Sequence, residues 1–219
     1  MAEERELTGD RIREAASESV REGAGIRARM HDLTLAALRG RRFDRGAIRE
    51  VVRAVAEGAT RGAETSRKDA RLALAEAFQG LDEALSRSAE AGRAALRQLA
   101  ATGRSFSEQE LKQALAGMRK IEEDFFATWG QVAESASERV RPELRRVLDE
   151  ARKSGTETGR LVGATLSEFA ARVSSGSIEA ALAGMEAAAE FGARFALAAS
   201  GILGGIATAL RESEAKNKS

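Results

Sequence analysis

The chain has 219 residues, 35 basic and 34 acidic side chains, a net charge of +1 and no cysteine. These values exclude a disulfide framework, thiol chemistry and a global electrostatic pull onto a polyanion. About one residue in five is Ala, only 4% are aromatic and Pro occurs once, so strong helix formers dominate and the commonest breaker is nearly absent.

The expected fold is all-α: an elongated, coiled-coil-like bundle of about four long amphipathic helices with Ala/Gly-rich packing. The 21 glycines run against that reading, because each interior Gly costs a helix about 1 kcal/mol relative to Ala. The opening "MAEERELTGD" is acidic and polar, unlike a secretory signal peptide, and predicts a cytoplasmic protein, either free or peripheral to a granule or the inner membrane.

The first helix is expected over about 9–39. Thr8 caps it, and Leu7 and Ile12 form a hydrophobic staple across the cap. His31 is the only histidine and no Cys or second His can join it, so it reads as a polar helix residue beside Asp32. The loop that follows, "RGRRFDRG", carries Arg39, Arg41, Arg42 and Arg45. This cluster suits phosphates or anionic lipid headgroups, and suits a solvated loop beside helix ends equally well. No recognition motif or basic tail accompanies it, so specific nucleic-acid recognition is not expected.

The second helix is expected over about 45–102, capped by Asp44, with Phe43 packing on Ile48. Unbroken, it would be about 87 Å long. Its apolar stripe runs through Ile48, Val52, Val55, Ala59, Gly62, Ser66, Ala70, Ala73, Ala77, Leu81, Leu85, Ser88, Gly92 and Leu96 to Leu99. Between Ala59 and Ala70 the stripe holds only small residues. Either a partner helix approaches closely there or the rod is weak there. Glu57/Arg61, Glu64/Lys68 and Glu83/Arg87 lie four apart and are expected to pair along the outer face.

The third helix is expected over about 107–173. Ser107 and Glu110 form a capping box, Phe106 and Leu111 a staple, and Gly103 stops the preceding helix. Pro142 is expected to end or kink this helix near its middle. Consecutive helical residues point in different directions, so Glu122, Glu123 and Asp124 read as a solvated face rather than an ion site. Ile121, Phe125 and Trp129 are spaced by four, flanked by Met118, Phe126 and Val132. Phe125, Phe126 and Trp129 are therefore either the thickest part of a core or an apolar patch for a lipid or polymer surface.

A fourth helix is expected over about 177–212, after "SSGS". Its stretch Phe195–Leu210 contains no charge and offers Phe195, Ile202, Leu203, Ile206 and Leu210 to an apolar surface or membrane. Sixteen helical residues span about 24 Å, short of the roughly 30 Å hydrocarbon core. Small residues recur every four positions, among them Gly184, Ala188, Gly192, Ala196, Ser200 and Gly204. Such a ridge admits a closely packed helix, in a membrane or in an Ala-rich bundle. Three readings stay open for this segment: a bundle or oligomer interface, contact with a lipid or polymer surface, and a short membrane anchor.

The chain divides accordingly into 1–104, a helical pair with its basic loop; 105–175, a long helix kinked near Pro142; and 176–219, the small-residue helix and polar tail. Laying residues 50–70 over 143–163 gives seven coincidences in 21 positions, Gly62 with Gly155 among them, the trace a duplication would leave. No phosphate-binding loop, dinucleotide fingerprint or nucleophile elbow occurs. No enzyme, cofactor or metal site is expected.

Long Ala-rich helices with amphipathic faces, sparse aromatics, no cysteine and an expected cytoplasmic setting together resemble the phasins, which coat bacterial polyhydroxyalkanoate granules. The likeness spans the helical body. It implies a non-catalytic protein that self-associates and coats an apolar surface, a storage granule or a membrane. The tail "RESEAKNKS" departs from the Lys/Ala/Pro-rich end of DNA-binding phasins, so the resemblance implies no DNA-binding role. The rival expectation is a helical scaffold or adaptor that binds a protein partner through its small-residue faces.

Overall fold

The computed structural model describes residues 7–39, 41, 45–66, 69–101, 108–169 and 199. The described residues form seven helices and no strand: α1 (Gly9–Glu22), α2 (Ile26–Leu38), α3 (Arg45–Thr65), α4 (Ala70–Ala101), α5 (Glu108–Ser135), α6 (Arg141–Ser154) and α7 (Glu157–Phe169). The chain is all-α, as its composition predicts, but the expected rods are broken, each by local chemistry.

The first rod turns back on itself at Gly23 and Gly25, whose φ values of 70° and 61° lie in the left-handed region that side chains disfavour. The Gly23 amide donates to Ser19 O (3.2 Å), closing α1. Thr8 occupies the cap position of α1, with Ile12 buried and Leu7 packed on the core, although the Thr8 hydroxyl makes no capping bond.

The 87 Å rod does not form. It is interrupted at Ser66 and Asp69, which are not helical, and the Asp69 carboxylate accepts the Arg71 and Leu72 amides (2.9 and 3.2 Å) to start α4 afresh. The third rod breaks twice. α5 ends at Ser135, and Pro142 sits in the first turn of α6, where its missing N–H costs nothing, instead of kinking a continuous helix. Gly155 (φ 75°) then closes α6, and the Thr156 hydroxyl accepts the Gly159 amide (2.9 Å) to start α7.

Contacts between distant residues fix the helix directions. Arg13 meets Glu57, and Gly62 faces Ser17, so α1 and α3 run parallel. Arg45 meets Asp124 and Ser137 meets Glu64, so α5 runs the same way. Arg41 returns to the Leu7 carbonyl (2.8 Å), so α2 opposes α1. Glu83 meets Arg27 on α2, and Glu168 meets Arg93 and Arg97, so α4 and α7 run with α2. The result is three helical hairpins side by side: α1, α3 and α5 form one layer, and α2, α4 and α6–α7 the other.

The central hairpin is the most enclosed. Eleven of the 21 residues of α3 are buried, including the consecutive Ala54, Val55 and Ala56, so it is covered on more than one side. The stripe from Ile48 to Leu96 faces the core, with Ala70 alone only partly covered. Both expectations for its small-residue stretch hold: α1 lies against Gly58 and Gly62, and the rod breaks just beyond, at Ser66. A methyl group on Gly58 would overlap the Arg13 carbonyl and come within 2.7 Å of Ala16 Cβ. One on Gly62 would lie 2.5 Å from Ser17 O and 2.8 Å from Val20 Cβ. Gly80 makes the same allowance for α2 at Arg27 and Met30.

One core cluster runs from Ile12 through Phe169 to Ala199, across both expected segment boundaries. The paired positions of the suspected duplication differ in kind: Gly62 lies inside a helix against α1, whereas Gly155 ends one. The structural repetition is the hairpin. The capping residues Asp44 and Ser107 with the Glu110 side chain, the "SSGS" break and the small-residue ridge lie outside the described residues.

Candidate functional site

Parallel α1 and α3 bring their amino-terminal ends to one end of the layer, and the α2–α3 connection delivers Arg41 to the same place. There a groove of about 340 Å³ opens between the two helices. Four guanidiniums line it, from Arg13, Arg41, Arg49 and Arg53, with one carboxylate, Glu50. Arg13 donates to Glu57 (2.7 Å) and also pairs with Asp10. Arg41 holds Glu50 (3.2 Å) and the Leu7 carbonyl. Arg53 donates to the neutral Gln131 amide oxygen (3.1 Å).

Asp124 sits beside the groove and is nearly buried. Arg45 grips it with two nitrogens, one at 2.7 Å, and Arg49 adds a third bond at 2.9 Å. Burial opposes its ionisation, but the two guanidiniums outweigh burial and hold its pKa below the ordinary aspartate value. Toward the carboxy-terminal end of α4, Glu168 is held at about 2, chiefly by its bonds from Arg97 and also by Arg93.

A second polar locus lies where α4, α5 and α7 meet. Asp82, in the middle of α4, accepts the Glu157 and Thr158 amides (2.8 and 3.1 Å), while the Thr158 hydroxyl donates to the Asp82 carbonyl (3.0 Å). Glu122 accepts the Thr156 hydroxyl (2.6 Å) and lies over Gly159, which has no side chain to oppose it. The amino terminus of α7 is thus capped from two other helices. Arg139 does the converse for α3, donating to the Glu64 and Ser66 carbonyls (3.1 and 3.0 Å).

The structure redistributes the sequence candidates. Phe125 and Trp129 are buried (1% and 0% exposed) and Phe126 is half-buried. They are not a surface patch in this fold, because Phe78 of α4 packs against all three, with ring centroids 4.7, 5.6 and 6.1 Å away, and Arg152 lies over Phe126. The Trp129 indole N–H is buried and has no hydrogen-bond partner among the described residues. Arg45 belongs to α3, bound to Asp124, and the Arg41 side chain is only 11% exposed, so neither is part of a loose basic loop. Arg39 ends α2, and Arg42 lies outside the described residues.

The acidic run is not a uniform solvated face: Glu122 serves α7, Asp124 serves α3 and Glu123 pairs with Lys120. Glu57 and Glu83 reach across to Arg13 and Arg27 instead of pairing along their own helix. His31 bonds Asp32 (2.9 Å), as their adjacency suggests. Phe195, Ile202, Leu203, Ile206 and Leu210, and the ridge of Gly184, Ala188, Gly192, Ala196, Ser200 and Gly204, lie outside the described residues. Ala199 between them is helical and fully buried.

Sequence reading missed the groove residues Arg13, Arg49 and Arg53. One signal was present: Arg45, Arg49 and Arg53 recur every four residues, which places them on one face of α3.

Fold and groove together define an all-helical protein of paired hairpins, joined by glycine contacts and inter-helix Arg–carboxylate ties. The chain belongs to a family of unknown function (DUF6781), whose model it matches over residues 2–212. No curated protein and no solved structure matches it. None of the described helices is long and apolar enough to cross a membrane.

Proposed function

We propose that the protein is a non-catalytic helical scaffold that engages a second helical chain, a copy of itself or another protein, through small-residue helix faces. The observation that carries this reading is Ala199. It lies in the middle of the charge-free stretch, has helical backbone and is wholly buried in the same core cluster as the hairpins. At helical spacing Phe195, Ile202, Leu203, Ile206 and Leu210 fall within about 60° of Ala199. A helix over this stretch would therefore offer a lipid or polymer the same face that Ala199 turns into the core cluster.

Gly58 and Gly62 illustrate what this chain does with small residues four apart: they admit another helix at backbone distance. The Gly184, Ala188 and Gly192 spacing repeats that device; at helical spacing these residues would share the side of Ala199, so the helix they admit would be one of the hairpins, of this chain or of a partner that takes its place. Sedimentation velocity on the full chain tests this. Ala188→Leu, which fills the ridge, should reduce the oligomer mass or lower the thermal midpoint, while Glu190→Gln on the opposite side should change neither. Equal, negligible effects would remove the reading.

A second reading keeps the phasin-like role, coating a storage granule or a membrane. It is favoured by the absence of charge in Phe195–Leu210, set against a described body whose one large exposed apolar side chain is Leu72. In this reading the segment leaves the body and exchanges it for the apolar surface. Flotation with vesicles or polymer granules separates the two: the scaffold stays in solution, whereas the coat floats and stops floating when 195–210 is deleted.

A further inference from the structure

We propose that the groove between α1 and α3 is a binding site for a phosphate group, carried by a small phosphate ester or by a lipid headgroup. Its charge is the first argument. Arg13, Arg41, Arg45, Arg49 and Arg53 gather at this end of the layer, and their carboxylate partners among the described residues include Asp10, Glu50, Glu57 and Asp124. Asp10 is 93% exposed and screened by solvent, and Asp124 is shared between Arg45 and Arg49. Arg53 meets only the neutral Gln131 amide and forms no ion pair among the described residues. Among the described residues the groove wall thus carries four guanidiniums and one carboxylate, and the planar forks of arginine match phosphate oxygens two at a time.

Space and backbone polarity agree with the charge. No atom lies within 4 Å of where a Gly9 side chain would begin, so the groove is open at the first turn of α1. The Thr8 side chain leaves the first-turn amides of α1 uncapped. The aligned peptides of α1 and α3 add partial positive charge at the same end, which favours an anion. A volume of about 340 Å³ is enough for a phosphate group with part of whatever it esterifies. The proposal does not depend on the scaffold reading.

The test is isothermal titration calorimetry of the full chain with inorganic pyrophosphate, paired with co-sedimentation on phosphatidylcholine vesicles with and without phosphatidic acid. Arg53→Gln removes a groove cation whose present partner is neutral, so folding should be kept, and circular dichroism checks it. Arg145→Gln removes the same charge from α6, outside the groove lining, where Arg145 pairs with the exposed Glu134. Saturable binding is expected, about tenfold weaker in Arg53→Gln, as the loss of one charge-assisted hydrogen bond implies, and unchanged in Arg145→Gln. Binding of pyrophosphate would mark a soluble phosphate ester as the ligand. Binding only to phosphatidic acid vesicles would mark a headgroup. No saturable binding in either arm, or an equal loss in Arg145→Gln, overturns the proposal.

Discussion

The contact of α1 with α3 and the contact of α4 with α5 join neighbouring helices by opposite means. The first works by omission: Gly58 and Gly62 leave out side chains, and the backbone of α1 occupies the vacated space. The second works by filling: Phe78, Phe125, Phe126 and Trp129 crowd together between α4 and α5, and the chain spends four of its nine aromatics there. An omitted side chain makes a contact vulnerable to addition, and a filled one makes it vulnerable to deletion. In a chain so poor in aromatics, that difference divides the molecule into one region sensitive to added volume and another sensitive to lost volume.

The largest effect should come from the filled contact. Phe78→Ala is expected to cost about 3–5 kcal/mol, the usual range for deleting a buried aromatic, read from urea unfolding. A loss below about 1 kcal/mol would mean that the cluster collapses freely around the gap. The omission contact should respond to a single methyl. Gly58→Ala improves helix propensity by about 1 kcal/mol, yet the overlap with Arg13 and Ala16 should turn that into a net loss of about 1–3 kcal/mol. A gain in thermal midpoint would show that α1 does not lie where described.

Smaller effects sharpen the comparison where polar ties supplement packing. Asp82→Ala leaves the Glu157 and Thr158 amides without their buried acceptor and should cost about 1–3 kcal/mol, with hydrogen exchange rising first in α7. Asp124 predicts a pH dependence. Its folded pKa lies below the unfolded value, so its contribution is complete above the ordinary aspartate range. That contribution is lost as pH falls through the lowered value. Asp124→Asn should flatten this part of the acid limb of the stability curve; an unchanged limb would mean that the Arg45 and Arg49 bonds contribute nothing.

The smallest effect has the opposite sign. Gly117 in α5 has no atom within 4 Å of a would-be Cβ, so Gly117→Ala should stabilise by up to about 1 kcal/mol. Destabilisation would reveal a neighbour at that face.

Much of this fold was legible in the sequence, for a physical reason: helical periodicity is a local property. The stripe from Ile48 to Leu96, the Leu7–Ile12 staple and the special role of the small residues near Gly62 could be read directly. The breaks were harder. Gly23, Gly25 and Gly155 lie in sequence that otherwise favours helix, and only their left-handed φ values separate them from Gly58 and Gly62, which remain helical.

The inter-helix ties were not legible at all. Spacing reveals neighbours along one helix, so Glu57 pointed to Arg61 and Glu83 to Arg87, whereas their partners came from α1 and α2. The groove has the same origin: Arg13 and Arg53 are brought together by the parallel packing of α1 and α3, which no local pattern encodes. The aromatic triplet was legible as an apolar face, but its burial required Phe78 from another helix.

The central claim is that Ala199, within the charge-free stretch, is buried in the same core as the hairpins. The chain has no cysteine, so Ala199→Cys introduces a single thiol at the buried position, and Ala127→Cys provides one on the exposed face of α5. The measurement is the rate of thiol labelling of both full-length variants in buffer without lipid or polymer. Cys at position 199 is expected to react about a hundredfold or more slowly than at 127, with the difference vanishing in denaturant. Equal rates in native buffer would contradict the account and leave the stretch free for an apolar surface.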